Sequence, residues 1–200
     1  MNSSIIRLLD ILFSIVGIVL LLPFFIIVAI WIKLDDRGPI FYRQLRVGRH
    51  GRDFQLFKFR SMRVNTDKLS GLTVGKRDPR ITNAGFWLRK FKLDELPQLI
   101  NVLNGTMSLV GPRPEIRKYV NLYSAEQMEV LSVRPGITDE ASIAYSNENE
   151  LLGAAADPEE FYIRKIMPDK LALNMRFIRN PSVINYLGII TRTVLKVVKN

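Results

Sequence analysis

The stretch "ILFSIVGIVLLLPFFIIVAIWI", Ile11 to Ile32, decides how the rest of the chain is read. It carries no charge. As a straight helix it would be about 33 Å long, enough to cross the hydrocarbon of a bilayer. A cleaved signal peptide fits it poorly: the apolar run is too long, and Lys33 and Asp35 follow where small residues would be needed. The segment therefore reads as a permanent membrane element. Pro23 stands near its middle, where a missing N–H and a ring clash kink or break a helix. Two topologies follow, a simple span and a re-entrant hairpin that leaves by the face it entered. The physics of the sequence alone favours the span. Lys33, Arg37, Arg43, Arg46 and Arg49 come next, so the globular part is expected on the cytoplasmic side.

Outward from this segment, the composition narrows the chemistry. The chain has 200 residues, 29 Lys and Arg against 19 Asp and Glu, and a net charge of +10. Such a balance suits nucleic acid, an anionic membrane surface or a polyphosphate substrate. There is no cysteine, which excludes disulfides, thiolate metal sites and a cysteine nucleophile. The single histidine, His50, lies in the turn-like "RVGRHGRD", and a zinc-binding HExxH is excluded. His50 reads as a loop residue.

Short aromatic-rich runs, Ile40–Arg43 and Phe54–Arg60, predict a small β-hairpin. Asn65–Arg80 reads as a long polar loop. Helical patterns cover Phe86–Phe91, Leu96–Leu103, Ile116–Leu131 and Phe161–Ile178, the last around Pro168. "SLVGPRPE" (Ser108–Glu115) reads as a strand ending in a rigid turn, and "VRPGIT" (Val133–Thr138) as a further turn. The C-terminal "SVINYLGIITRTVLKVVKN" predicts a basic amphipathic helix, suited either to a membrane surface or to the domain core.

The chemistry concentrates in "FKLDELPQLINVLNG", Phe91–Gly105. Asp94 and Glu95 could simply cap the following helix, with Asp94 at the N-cap and Pro97 in the first turn. The surroundings argue for more. Arg89 precedes the pair, Lys58 and Arg60 stand in "FKFRSMR", and two prolines stiffen Arg113 in "GPRPE". Phosphoryl transfer uses such a set: a carboxylate to hold a hard cation or attack phosphorus, and cations to neutralise phosphate oxygens. Adjacent side chains diverge, so the two acids should have different roles. The residues alone lead to a membrane-bound enzyme acting on a phosphate compound.

The order "FxLFKFRSMR", "LRKFKLDELPQLINVLNGTMSLVGPRPE", "VRPGIT" resembles the monotopic phosphoglycosyl transferases, the bacterial sugar transferase family, over essentially the whole chain. The resemblance implies transfer of a sugar 1-phosphate from a UDP-sugar to undecaprenyl phosphate. UMP would be released and glycan assembly initiated on the cytoplasmic face of the bacterial inner membrane. It implies Mg²⁺ and a covalent sugar-phosphate on Asp94, with Glu95 as its catalytic partner. It further implies Arg113, Lys58, Arg60 and Arg89 as substrate-phosphate cations, and metal ligation by Asp94 with Glu159, Asp157 being the competitor. Downstream glycosyltransferases are candidate partners, beside the lipid bilayer; nucleic acid is not expected. The segment would be a re-entrant helix-break-helix at Pro23, although Leu22 stands where many members carry serine. After Pro135 the sequence leaves the family pattern, and Ser146 stands where an arginine is common.

The expected fold class is therefore α+β, mainly helical. It comprises a re-entrant membrane anchor over residues 1–34, a small β-hairpin, and amphipathic interfacial helices around a compact cytoplasmic catalytic domain over 35–200. Two other readings stand beside it: a basic membrane-anchored binding module without catalysis, and a lipid-phosphate hydrolase. The sugar is not legible.

Overall fold

The computed structural model describes the backbone of residues 3–63 and 78–199. Most of the expected polar loop, residues 65–77, lies outside the described residues. The fold is mainly helical with two small two-stranded sheets among the described residues.

Helix α1 (Ser3–Asp36) stays helical through Pro23, which corrects the expected break in the helix. Pro23 removes one backbone hydrogen bond, and apolar turns on both sides carry the helix past it. α1 is buried near its two ends, at Ile6, Asp10 and Ser14 and again at Val28 and Ile32. The opposite side, including Leu8, Leu12, Leu20, Ile27 and Leu34, is exposed. Among the described residues, α1 is one helix long and apolar enough to cross a membrane.

Both ends of α1 are fastened to the same body. Arg7 donates to the carbonyls of Val102 (2.6 Å) and Leu103 (2.8 Å). Asp10 accepts from Ser108 Oγ (2.9 Å), Leu109 N–H (2.8 Å) and Tyr186 O–H (2.6 Å). At the other end Val28 and Ile32 pack with Phe59, Ala84 and Leu88, and Asp35 accepts from Ala84 N–H at 2.8 Å.

Strands β1 (Phe41–Val47) and β2 (Asp53–Phe59) form the expected hairpin, antiparallel from Phe41↔Phe59 to Val47↔Asp53. His50 sits in its turn with φ 57°. Helix α2 (Asn83–Lys90) starts at Thr82, whose hydroxyl caps Gly85 N–H. Helix α3 (Gln98–Leu103) follows, then β3 (Ser108–Val110), short α4 (Arg117–Val120) and β4 (Gly136–Thr138). β3 and β4 pair in parallel, Ser108↔Gly136 and Val110↔Thr138, so the "VRPGIT" turn contains a strand. A side chain on Gly136 would begin 2.1 Å from Gly111 N, so glycine is required where these two backbones cross.

The long helix expected over Ile116–Leu131 is not formed. Ser124 and Gln127 exchange side chain–backbone bonds (2.8 and 3.2 Å), a reciprocal cap that ends one turn and starts the 3₁₀ segment Gln127–Ser132. The chain continues with α5 (Glu140–Ala144), α6 (Glu148–Ala154), α7 (Pro158–Phe161), a π-helical turn (Tyr162–Ile166), α8 (Met167–Arg179) and α9 (Val183–Lys199). α9 packs on the body along one face. Tyr186 and Ile189 are buried with Ile6 and Val110, whereas Ile184, Leu187, Val194 and Leu195 stay exposed.

Candidate active site

The acid pair does not cap α3. Lys92 adopts a left-handed conformation (φ 57°), and Leu93–Glu95 form a 3₁₀ turn that Pro97 separates from α3. No side chain caps α3. Strain of this kind collects at functional sites because the surroundings must enforce it. The turn leads Asp94 inward, where only 6% of it is exposed.

Asn101 fixes the turn against β2. Its carboxamide accepts from Phe57 N–H (2.9 Å) and donates to the Gln55 carbonyl (2.8 Å), pairing with the β2 edge as a strand would. Lys58 on β2 thereby faces Glu95, at 3.1 Å from Nζ to Oε1. Arg113 comes from the β3–β4 crossing. Gly111 N–H donates to the Thr138 carbonyl and Gly136 N–H to the Pro112 carbonyl, each at 3.0 Å. Arg113 N–H donates to buried Asp139 at 3.0 Å. So held, the Arg113 fork engages both Glu95 oxygens, with Nη1 2.9 Å from Oε2 and Nη2 on Oε1.

The two acids therefore differ. Burial works to raise Glu95, but Arg113 and Lys58 outweigh it and hold the carboxyl well below the usual carboxylate range. Burial and then the Glu95 charge raise Asp94, against the weaker pull of Lys58, Arg89 and Lys92. Asp94 has no hydrogen-bond or ion-pair partner among the described residues.

Asp94 faces a cavity of about 590 Å³. Its lining includes seven cations (Arg46, Lys58, Arg89, Lys92, Arg113, Lys170, Lys196) against four carboxylates (Asp94, Glu95, Glu115, Glu148), which favours an anionic ligand. Arg46 was not singled out in the sequence. It reaches the site because Glu115 holds it at 3.2 Å, while Tyr162 O–H donates to the other Glu115 oxygen. A basic residue at an inward-facing hairpin position was the only signal for it. Away from the dyad the wall becomes apolar, with Leu109, Ile137, Ile143, Ile190, Val194 and Val197.

Of the residues expected at the site, Asp94, Glu95, Lys58, Arg89 and Arg113 line this cavity. Arg60 does not. It is 4% exposed, lies against Gly38 and pairs with Asp36 at 3.3 Å, so it secures the end of α1. Glu159 also lies outside the cavity lining and pairs with Lys118 on the surface. Asp157 caps α7 through Glu159 and Glu160 N–H groups at 3.0 and 2.9 Å. Ser146 lines the cavity without a charge.

Among the described residues no three carboxylates or histidines gather as a metal cage. An unpartnered buried carboxylate does fit Mg²⁺, which commonly takes one or two protein carboxylates and fills its other positions with substrate phosphate and water.

A free carboxyl beside a locked one, in a cavity lined by seven cations, is a setting suited to phosphate compounds. The chain belongs to the bacterial sugar transferase family, whose model matches residues 1–200. It is similar to UDP-N-acetylgalactosamine-undecaprenyl-phosphate N-acetylgalactosaminephosphotransferase of Aeromonas hydrophila, 40% identical over 158 residues, 78% of this chain and 36% of that protein. It is also similar to a Bacillus subtilis protein described as a putative undecaprenyl-phosphate N-acetylgalactosaminyl 1-phosphate transferase, 45% identical over 54% of this chain and 61% of that one. The exopolysaccharide production protein PSS of Rhizobium leguminosarum is 36% identical over 94% of this chain and 92% of its own. The chain thus spans about a third of the first relative and under two thirds of the second.

Proposed function

We propose that this chain transfers a sugar 1-phosphate from a UDP-sugar to undecaprenyl phosphate, releasing UMP and leaving a polyprenyl-diphosphate-linked sugar. The observation that carries the reading is the division of the dyad: Glu95 locked by Arg113 and Lys58, Asp94 buried and unpartnered at a cation-lined cavity. The activities for which the relatives are named agree with it.

Direct attack would bring two anionic phosphates together, and a covalent step divides that encounter. Asp94 in its ionised form attacks the β-phosphorus of the UDP-sugar. The bond between that phosphorus and the bridging oxygen breaks, and UMP leaves with the electron pair. A phosphate oxygen of undecaprenyl phosphate then attacks the same phosphorus, and the Asp94 carboxylate leaves. A raised proton affinity makes ionised Asp94 a stronger nucleophile, and the nearby Arg89 and Lys92 favour its ionised form. Arg113 and Lys58 sit where phosphate oxygens gather charge, with Glu95 fixing both. Asp94 is the residue that would hold Mg²⁺; when bound, the cation supplies charge neutralisation on the diphosphate.

The exposed side of α1 is the proposed membrane face. With both ends tied to one body, the unbroken α1 lies along the membrane with that body, which sits at the cytoplasmic face of the inner membrane. Enzymes that extend the lipid-linked sugar would be downstream partners.

Purified protein in nanodiscs, given Mg²⁺ and a panel of UDP-sugars without acceptor, tests the mechanism. A burst near one UMP per site is expected, with a sugar-phosphate adduct on the Asp94 peptide by mass spectrometry. An adduct on another residue overturns the assignment, and sequential kinetics without any adduct overturns the covalent step. Release of inorganic phosphate from the lipid alone would indicate a hydrolase. No turnover of any UDP-sugar would leave a binding module.

A further inference from the structure

The cavity lining also includes polar groups that the transfer does not use. Ser142 Oγ, in the first turn of α5, and Asn174 Oδ1, in α8, are buried and have no hydrogen-bond partner among the described residues. Both residues line the cavity, and Asn174 is 5% exposed. Charged and phenolic groups beside them are already matched. Tyr145 O–H donates to Asp169 Oδ2 at 2.9 Å, and Lys170 Nζ lies 2.8 Å from Glu148 Oε2. The wall therefore offers a neutral hydroxyl and a neutral carboxamide, framed by a tyrosine ring and a neutralised ion pair.

Position narrows the ligand. The two Asp139 oxygens bind two backbone N–H groups: Oδ2 accepts from Arg113 and Oδ1 from Ser142. One carboxylate thus sets Ser142 beside the phosphate-facing Arg113. In a UDP-sugar the sugar ring is one bond from the β-phosphate, so it must occupy the space next to the phosphate cations. Anions prefer the Lys58–Arg113 side; a neutral polyhydroxyl ring suits the Ser142–Asn174 side.

We propose that Ser142 and Asn174 form the subsite that reads the sugar ring of the donor, the Asn174 carboxamide and the Ser142 hydroxyl turning towards the cavity to hydrogen-bond its ring substituents. The proposal rests on the sugar-phosphate transfer reading. Leaving buried polar groups unmatched weakens the free protein, and a matching substituent recovers that loss only in the complex. Sites built this way reject analogues lacking the substituent far more strongly than apolar pockets do.

The test uses the whole chain in nanodiscs. kcat/KM is measured for UDP-N-acetylglucosamine, UDP-N-acetylgalactosamine, UDP-glucose and UDP-galactose in the wild type, Ser142→Ala and Asn174→Leu, together with UMP affinity and melting temperature. The expected result is a fall of at least about tenfold in the ratio between best and worst sugar in each variant. UMP affinity stays within about twofold of wild type. The melting temperature holds or rises, since an unmatched group has been removed. Asn174 also borders a second cavity of about 30 Å³, room for one water. If it serves only to hold that water, Asn174→Leu lowers the melting temperature and leaves sugar ratios unchanged, which overturns its role. Equal losses on all four sugars overturn the proposal while the transfer reading stands. A wild type that consumes no UDP-sugar removes both.

Discussion

Asp94 and Glu95 are adjacent in sequence, yet their charges bear on stability in opposite directions. Glu95 is held well below its ordinary value, so its pairing stabilises the fold above about pH 4.5 and that stability is lost as pH falls through the folded value. Asp94 is raised, so the folded state binds more protons than the unfolded one between the two values, and stability falls as pH rises through that window. Asp94→Asn should therefore melt higher than wild type at pH 8, with the gap closing towards pH 3. The same variant should lose the UMP burst by about 10⁴-fold or more. Glu95→Gln leaves two cations unmatched. It should cost about 2 kcal/mol at neutral pH, a buried-pair loss discounted for the partly open Arg113, and urea melts would read it. Arg113→Lys keeps the charge but cannot grip both Glu95 oxygens or present a fork to phosphate. Turnover should drop by roughly 10- to 100-fold, and near-normal kinetics would reduce Arg113 to a general charge.

At the scale of elements, Asn101 is the fastening that matters most for the site. Asn101→Leu strands one N–H and one carbonyl of β2, so a loss of about 2–3 kcal/mol is expected by denaturant melting, with activity falling as the dyad shifts from Lys58. Its sequence position looked like one more polar residue in a helix, and only the fold shows its partner strand. The hairpin was legible because alternating aromatic residues and a glycine turn have few other solutions. The α3 boundary was not. "DELP" satisfies local cap rules, whereas the left-handed Lys92 that overrides them is imposed from outside. The false helix over Ile116–Leu131 had the right periodicity, and the Ser124–Gln127 cap that splits it was readable in retrospect. Of the site, the acid pair, Lys58, Arg89 and Arg113 were legible as chemistry concentrated in short motifs. Arg46, Asp139, Ser142 and Asn174 were not, because each arrives through tertiary packing. Arg60 and Glu159 show the converse: residue type matched the chemistry, and packing placed them elsewhere.

For the whole molecule, α1 and the body it packs on are parts of one packed object. Single cysteines at Ser4 and Arg52 should both react with an impermeant maleimide only in inside-out vesicles. Reaction of Ser4→Cys in intact spheroplasts would establish a span and detach the helix end from Val102 and Leu103. Chelation by EDTA should abolish turnover and Mg²⁺ restore it; full activity without metal would take the cation out of the proposal. The meeting of Asp10 with Ser108 and Tyr186 also sets an order in time. A ribosome delivers α1 first, and Tyr186 follows 176 residues later, roughly 10–35 s at ordinary elongation rates. During that interval an apolar helix carries a carboxyl that still lacks its Tyr186 partner. On the proposed membrane reading α1 inserts before that partner arrives, and α9 then closes the clasp on it. Chains arrested before α9 should be membrane-associated yet extractable by alkaline carbonate, whereas released full-length chains should resist it. Equal extraction of both would show that α1 is secured without its final partner.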